Sequence, residues 1–119
     1  AELNGRYASP GLGVIVEFAP CGDAPEPICG TLIWMWDPSD TPHAEIGDVI
    51  VSGLNLESDA WKGTMLSPET GWTFNGTIAP SEGDLLVLEG CVGPICVSQT
   101  WRSTSGLSRI LAGARSDDQ

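Results

Sequence analysis

Basic residues and histidine are the scarcest chemistry in this chain of 119 residues. Five Lys and Arg stand against sixteen Asp and Glu, for a net charge of -11, and His43 is the only histidine. A surface this acidic excludes a nucleic-acid partner, whose phosphates require basic side chains, and disfavours docking on anionic lipid headgroups. One histidine, in a Pro-rich acidic loop, supports neither a Ser-His-Asp nor a Cys-His arrangement and reads as a solvated loop residue. Long apolar runs are absent too: none approaches the roughly 18–20 residues that a membrane helix needs. No Gly-rich phosphate cradle, EF-hand loop or zinc-protease motif occurs, so no cofactor and no metal are expected, and the chain is not read as an enzyme. The acidity itself keeps a small protein soluble and monomeric.

What the chain has is glycine, proline and short apolar runs: 15 Gly and 9 Pro separate stretches that alternate in polarity. Such punctuation marks many short strands joined by tight turns. Strands are expected at Asn4–Ala8, Val14–Ala19, Ile28–Trp36, Lys62–Leu66, Trp72–Ile78, Leu85–Cys91 and Val97–Ser103. The stretch Asp48–Leu56 is ambiguous, because Val49-Ile50-Val51 favours a strand whereas Gly53 and Asn55 imply a turn. In Ile28–Trp36, alternation puts Gly30, Leu32, Trp34 and Trp36 on one face. Gly76 marks a bulge or a close backbone approach. Asn75-Gly76-Thr77 also matches a glycosylation sequon, which strand positions explain without modification.

Seven or eight short antiparallel strands must bury one face and dispose of their edges, and closing into an up-and-down barrel does both. The expected architecture is therefore an all-β meander barrel in one domain, residues 1–104. Residues 105–119 read equally as a tail or as a short amphipathic helix, with Leu107, Ile110, Leu111 and Ala114 at helical spacing.

Four cysteines fall in two close pairs that flank turns. Of the three connectivities, Cys21–Cys29 with Cys91–Cys96 is favoured, since each bond closes one hairpin loop. Disulfides of this kind belong to an oxidising compartment. A four-cysteine zinc site is the rival, but the spacings do not match it at both ends. Ala1-Glu2-Leu3 reads as the start of a mature chain freed of an export signal.

Several stretches together resemble a bacterial family called domain of unknown function 2147. Cys21-Gly22-Asp23 with Ile28-Cys29-Gly30-Thr31-Leu32-Ile33-Trp34 is similar to its "CGD…LCG-x-I-V-W" motif. Trp61-Lys62-Gly63 and Ser67-Pro68-Glu69-Thr70-Gly71-Trp72-Thr73-Phe74 resemble its "W-x-GG … DP-x-DG-x-TY" segment. Glu89-Gly90-Cys91-Val92 and Ser98-Gln99-Thr100-Trp101-Arg102 resemble its "RGC" and "TQTWTR" ending. Tyr7 stands where a Gly-x-Trp start is common, Glu89 replaces a basic residue and Thr64 a second glycine. The resemblance implies a compact barrel, lipocalin-like in shape, exported to the bacterial periplasm or secreted, and it implies no activity.

Five tryptophans fill a core or line a pocket. Trp34, Trp36, Trp72 and Phe74 are the candidates for an aromatic pocket that takes a small apolar or amphipathic molecule. Trp101 and Arg102 alternate on the last strand, so Trp101 is expected to plug the barrel while Arg102 caps its rim, stacked on Tyr7 where first and last strands meet. Two other classes compete with ligand binding. One is a solidly packed envelope-structural or protein-interaction module; the other is a hydrolase using Glu17 and Glu89 as paired carboxylates. Asp37 and Asp40 are close enough in sequence to share a cation, although exposed loop carboxylates seldom do.

Overall fold

In a computed structural model that describes residues 3–82 and 84–105, eight antiparallel strands close into an up-and-down barrel in sequence order. They are β1 (Gly5–Ala8), β2 (Val14–Pro20), β3 (Ile28–Met35), β4 (Val49–Glu57), β5 (Ala60–Leu66), β6 (Thr73–Pro80), β7 (Leu85–Val92) and β8 (Ile95–Ser103). Two single 3-10 turns, Pro10–Leu12 and Pro38–Asp40, sit in connections. The C-terminal helix considered from the sequence falls mainly on residues 106–119, outside the described ones.

Both disulfides take the hairpin pairing, Cys21–Cys29 between β2 and β3 and Cys91–Cys96 across β7 and β8. In the chain-entropy account, loops this short contribute about 2–3 kcal/mol each. The two bonds point to a non-cytoplasmic, oxidising compartment.

Two strands depart from simple alternation. The ambiguous stretch is β4, and it runs straight through Gly53, where the register against β5 slips between Ser52 and Asn55. Gly53 holds a φ of +65°, a conformation open to glycine, so the expected turn becomes a bulge and the strand continues. The second departure is in β3. Ile15 pairs with Trp34 but Val16 with Leu32, which leaves Ile33 as an extra residue. One inserted residue flips the side chains beyond it. Met35, opposite the buried Val14, therefore takes the inward position, and Trp34 turns outward to meet Trp36 edge-on at 6.1 Å. The shared face expected for Leu32 and Trp34 is thus corrected.

The barrel is packed at one end. Phe18, Leu32, Leu54, Ile78 and Leu86 are at most 1% exposed, joined by Ile28 and Trp61. The Trp61 indole N–H is buried there with no partner among the described residues. Above this plug, Gly63, Gly76 and Gly90 pair with one another across β5, β6 and β7. Their missing side chains make room inside: a Cβ on Gly63 would lie 2.6 Å from the Ser52 carbonyl, and one on Gly76 2.7 Å from Met65 Sδ. On Gly90 it would strike the Phe74 ring.

The seam is the shortest ladder. β1 meets β8 at two pairs, Tyr7 with Ser103 and Ala8 with Arg102. Ser9 adds a last rung towards β2, its N–H donating to the Val14 carbonyl and its hydroxyl accepting from the Val14 N–H. Pro10, with no N–H for β8, then opens the Pro10–Leu12 turn. Inside the seam the Tyr7 ring meets Phe18 at 6.0 Å. Outside it, Arg6 pairs with Glu17 at 2.9 Å.

Two outcomes follow. Gly90→Ala should cost about 1–3 kcal/mol through overpacking against Phe74, read as a lower urea midpoint, and Phe74→Leu should recover part of that loss in a double-mutant cycle. Equal midpoints for wild type and Gly90→Ala would contradict the close approach. Tyr7 is the sole tyrosine, so tyrosinate absorbance reports on it alone. Burial first, and then the Asp84 charge, raise its pKa above the ordinary 10.0. The unfolded chain therefore loses this proton first, and the stability it lends is intact below pH 10.0 and lost as pH rises through the folded value. The absorbance midpoint should lie above 10.0 and fall in Asp84→Asn; a native midpoint at or below 10.0 would be the contrary result.

Candidate ligand-binding cavity

The end of the barrel opposite the plug is hollow. The connections β1–β2, β3–β4, β5–β6 and β7–β8 all lie there, and among them opens a cavity of about 990 Å³, at the upper end of ordinary small-molecule sites. Its floor is the top of the packed core, including Val16, Phe18, Val51 and Met65. Its wall carries Phe74, Leu88 and Trp101.

Local hydrogen bonds hold the rim. Asp37 Oδ1 accepts from the Ser39 N–H and hydroxyl, at 2.9 and 2.8 Å, and so starts the Pro38–Asp40 turn. Those donors hold the Asp37 carboxyl below its usual range, the backbone N–H contributing most. The Trp36 N–H donates to the Gly13 carbonyl, joining two rim loops. In the β5–β6 connection, Gly71 has a φ of +79° and its N–H returns to the Ser67 carbonyl at 2.8 Å. The Thr70 hydroxyl accepts from the Trp72 N–H at 3.2 Å.

These loops display two tryptophans at the opening. Trp36 is 71% and Trp72 62% exposed, and both line the cavity. Large apolar groups left open beside a concave apolar site mark a surface that meets something. Asp37, Asp40 and Glu69 give the rim its charge, and among the described residues no Lys or Arg lines it. Arg6 and Lys62 are engaged elsewhere, with Glu17 and with Glu57 at 3.9 Å.

The predicted site residues divide accordingly. Trp36, Trp72 and Phe74 line the cavity, whereas Trp34 is turned outside by the β3 bulge and does not. Trp101 is 8% exposed and also lines the cavity, its indole N–H donating to Gln99 Oε1 at 3.0 Å. Arg102 is exposed on the outer face beside Ala8, while the ring contact of Tyr7 is with Phe18 within. Tyr7 and Arg102 thus meet the seam from opposite faces rather than stacked.

Glu17 lies on β2 beside Arg6, and Glu89 lies on β7 between Thr77 and Ser98, with β8 and β1 intervening. The barrel does not bring the two together. The His43 N–H donates to the Pro68 carbonyl and its ring rests against Gly71, so it braces two rim loops. Among the described residues, no group of three or more His, Cys, Asp or Glu is placed to hold a metal.

Sequence reasoning missed Ile95, Val97 and Gln99, which line the cavity with Trp101. They share its parity on β8, so alternation counted back from Trp101 would have found them.

No curated protein and no solved structure matches the chain. A family model described as "Uncharacterized protein conserved in bacteria (DUF2147)" matches residues 5–103, a span that runs from the first residue of β1 to the last of β8. The chain belongs to that family.

Proposed function

We propose that this barrel is an exported bacterial binding protein, periplasmic or secreted, that takes a small apolar or amphipathic molecule in the cavity at its mouth. The cavity itself carries this reading: about 990 Å³ bounded by Val16, Phe18, Val51, Met65, Leu88 and Trp101. A solidly packed structural module has no use for such a space, and filling it would gain about 25 cal/mol for each Å² of apolar surface removed from water. The acidic rim favours a neutral or cationic head group over an anionic one. Hydrolysis by Glu17 and Glu89 has no support in their separate outer positions, so the binding role is taken to be non-enzymatic.

The test is titration with the neutral dye N-phenyl-1-naphthylamine, followed by its fluorescence. One site per chain is expected, and Leu88→Trp, which fills the cavity wall, should abolish it while near-UV circular dichroism stays native. Trp36→Ala and Trp72→Ala should each weaken binding by about 3–10-fold, and Trp34→Ala should leave it unchanged. Absence of binding to the wild type, or equal binding to Leu88→Trp, would overturn the reading.

A further inference from the structure

The seam leaves most of β8 with only one paired strand, although the Pro10–Leu12 turn also approaches it. β1 pairs with Ala8 against Arg102 and goes no further, because Pro10, the next residue whose backbone would face β8, lacks an N–H and opens a turn. Beyond Arg102 towards the mouth, no strand among the described residues pairs with the outer edge of β8. The direction of its backbone groups follows from one bond: the Ser103 N–H donates to the Asp84 carbonyl, towards β7, at 2.7 Å. Antiparallel alternation then aims Trp101, Gln99, Val97 and Ile95 at β7 and aims Thr100, Ser98 and Cys96 away from it. The Cys91–Cys96 disulfide agrees, since its Cα–Cα distance of 4.0 Å belongs to a pair that exchanges no hydrogen bonds. Cys96, Ser98 and Thr100 are all exposed, so about six backbone donors and acceptors face outward in strand geometry.

Such an edge is a template for another strand, and natural sheets usually blunt it with Pro, charge or a cover. Here the exposed stretch Ile95–Thr100 holds no charged residue and no proline. Of its three cavity-facing side chains, Ile95 and Val97 are apolar and open to solvent, at 69% and 60%, while Gln99 accepts from the Trp101 indole. The Cys91–Cys96 bond holds the hairpin that presents them.

We propose that the free edge of β8 is a strand-addition site for an extended segment of a partner protein, apolar at alternate positions and positively charged overall. Backbone pairing supplies the affinity in this mode, and alternate side chains supply the choice of partner. The alternate apolar residues of the added strand would lie beside Ile95 and Val97. The positive charge complements the -11 of the chain and the Asp37, Asp40 and Glu69 carboxylates at the mouth. That same charge opposes a second copy of this chain as the occupant. The inference does not depend on whether a small molecule fills the cavity.

The test uses the full chain and a short synthetic peptide of alternating valine and threonine with lysine at both ends. The Cys96, Ser98 and Thr100 amides should exchange rapidly in the free protein and become protected with peptide. Binding should weaken about tenfold or more when the peptide amides facing β8 are N-methylated, and also when its lysines become glutamates. Ser98→Pro removes an N–H that the β7 ladder does not use, a position where edge strands tolerate proline. It should keep the native melting temperature and the dye binding of the cavity while losing the peptide about tenfold or more. No peptide binding, binding indifferent to N-methylation or to Ser98→Pro, or amides already protected in the free chain by its own tail or by dimerisation would each overturn the proposal.

Discussion

Two residue pairs, Tyr7 with Ser103 and Ala8 with Arg102, complete the cylinder on which every inward position depends. Closure fixes which alternate residues face inside, because a one-residue slip at the seam would exchange the core and the outer wall. Among the described residues only these two pairs cross the seam; Tyr7 with Phe18 and Arg6 with Glu17 fasten β1 to β2, and the Ser103 amide on Asp84 fastens β8 to the start of β7. The seam's shortness comes from Pro10, the next residue whose backbone would face β8, which has no N–H to give and opens the Pro10–Leu12 turn. A four-residue first strand therefore closes the barrel low down and leaves the upper part of β8 open.

That asymmetry divides the interior. Below the seam's upper limit, large side chains meet across the barrel and exclude solvent, with Phe18, Leu32, Leu54, Ile78 and Leu86 at the centre. Towards the mouth the wall changes character. Gly63, Gly76 and Gly90 replace bulky residues in a row across three strands, and Leu54, Met65 and Phe74 lean into the space they leave. The result is a plug with a hollow above it, and the rim loops keep Trp36 and Trp72 in solvent at its opening. Only Trp61 and Trp101 of the five tryptophans reach the buried state.

Much of this was legible in the chain. Glycine and proline spacing marked seven of the eight strands, and hairpin-by-hairpin order pointed to the meander. The cysteine spacing favoured the pairing that the fold adopts. What alternation could not reveal was the place where it breaks. Nothing in Leu32-Ile33-Trp34 announces an extra residue, because the bulge is settled by the register of Val14–Val16 on the neighbouring strand. Trp34 therefore reads as a pocket residue in sequence and stands outside in the fold. Gly53 misled in the other direction, since a glycine with positive φ serves a bulge as readily as a turn. Of the cavity, the lining aromatics Trp36, Trp72 and Phe74 were legible, but its size was not. Its volume depends on which side chains fail to meet across the barrel, a property of closure rather than of any one segment.

A hollow mouth above a packed plug is the central claim, and methyl-labelled NMR of the protein with a neutral apolar probe such as decanol tests it most directly. Chemical-shift changes should concentrate on the methyl groups of Val51, Met65, Leu88 and Val97, which line the cavity, while those of Leu54, Ile78 and Leu86 in the plug stay in place. Shifts confined to the outer wall, or none at saturating decanol, would contradict the account.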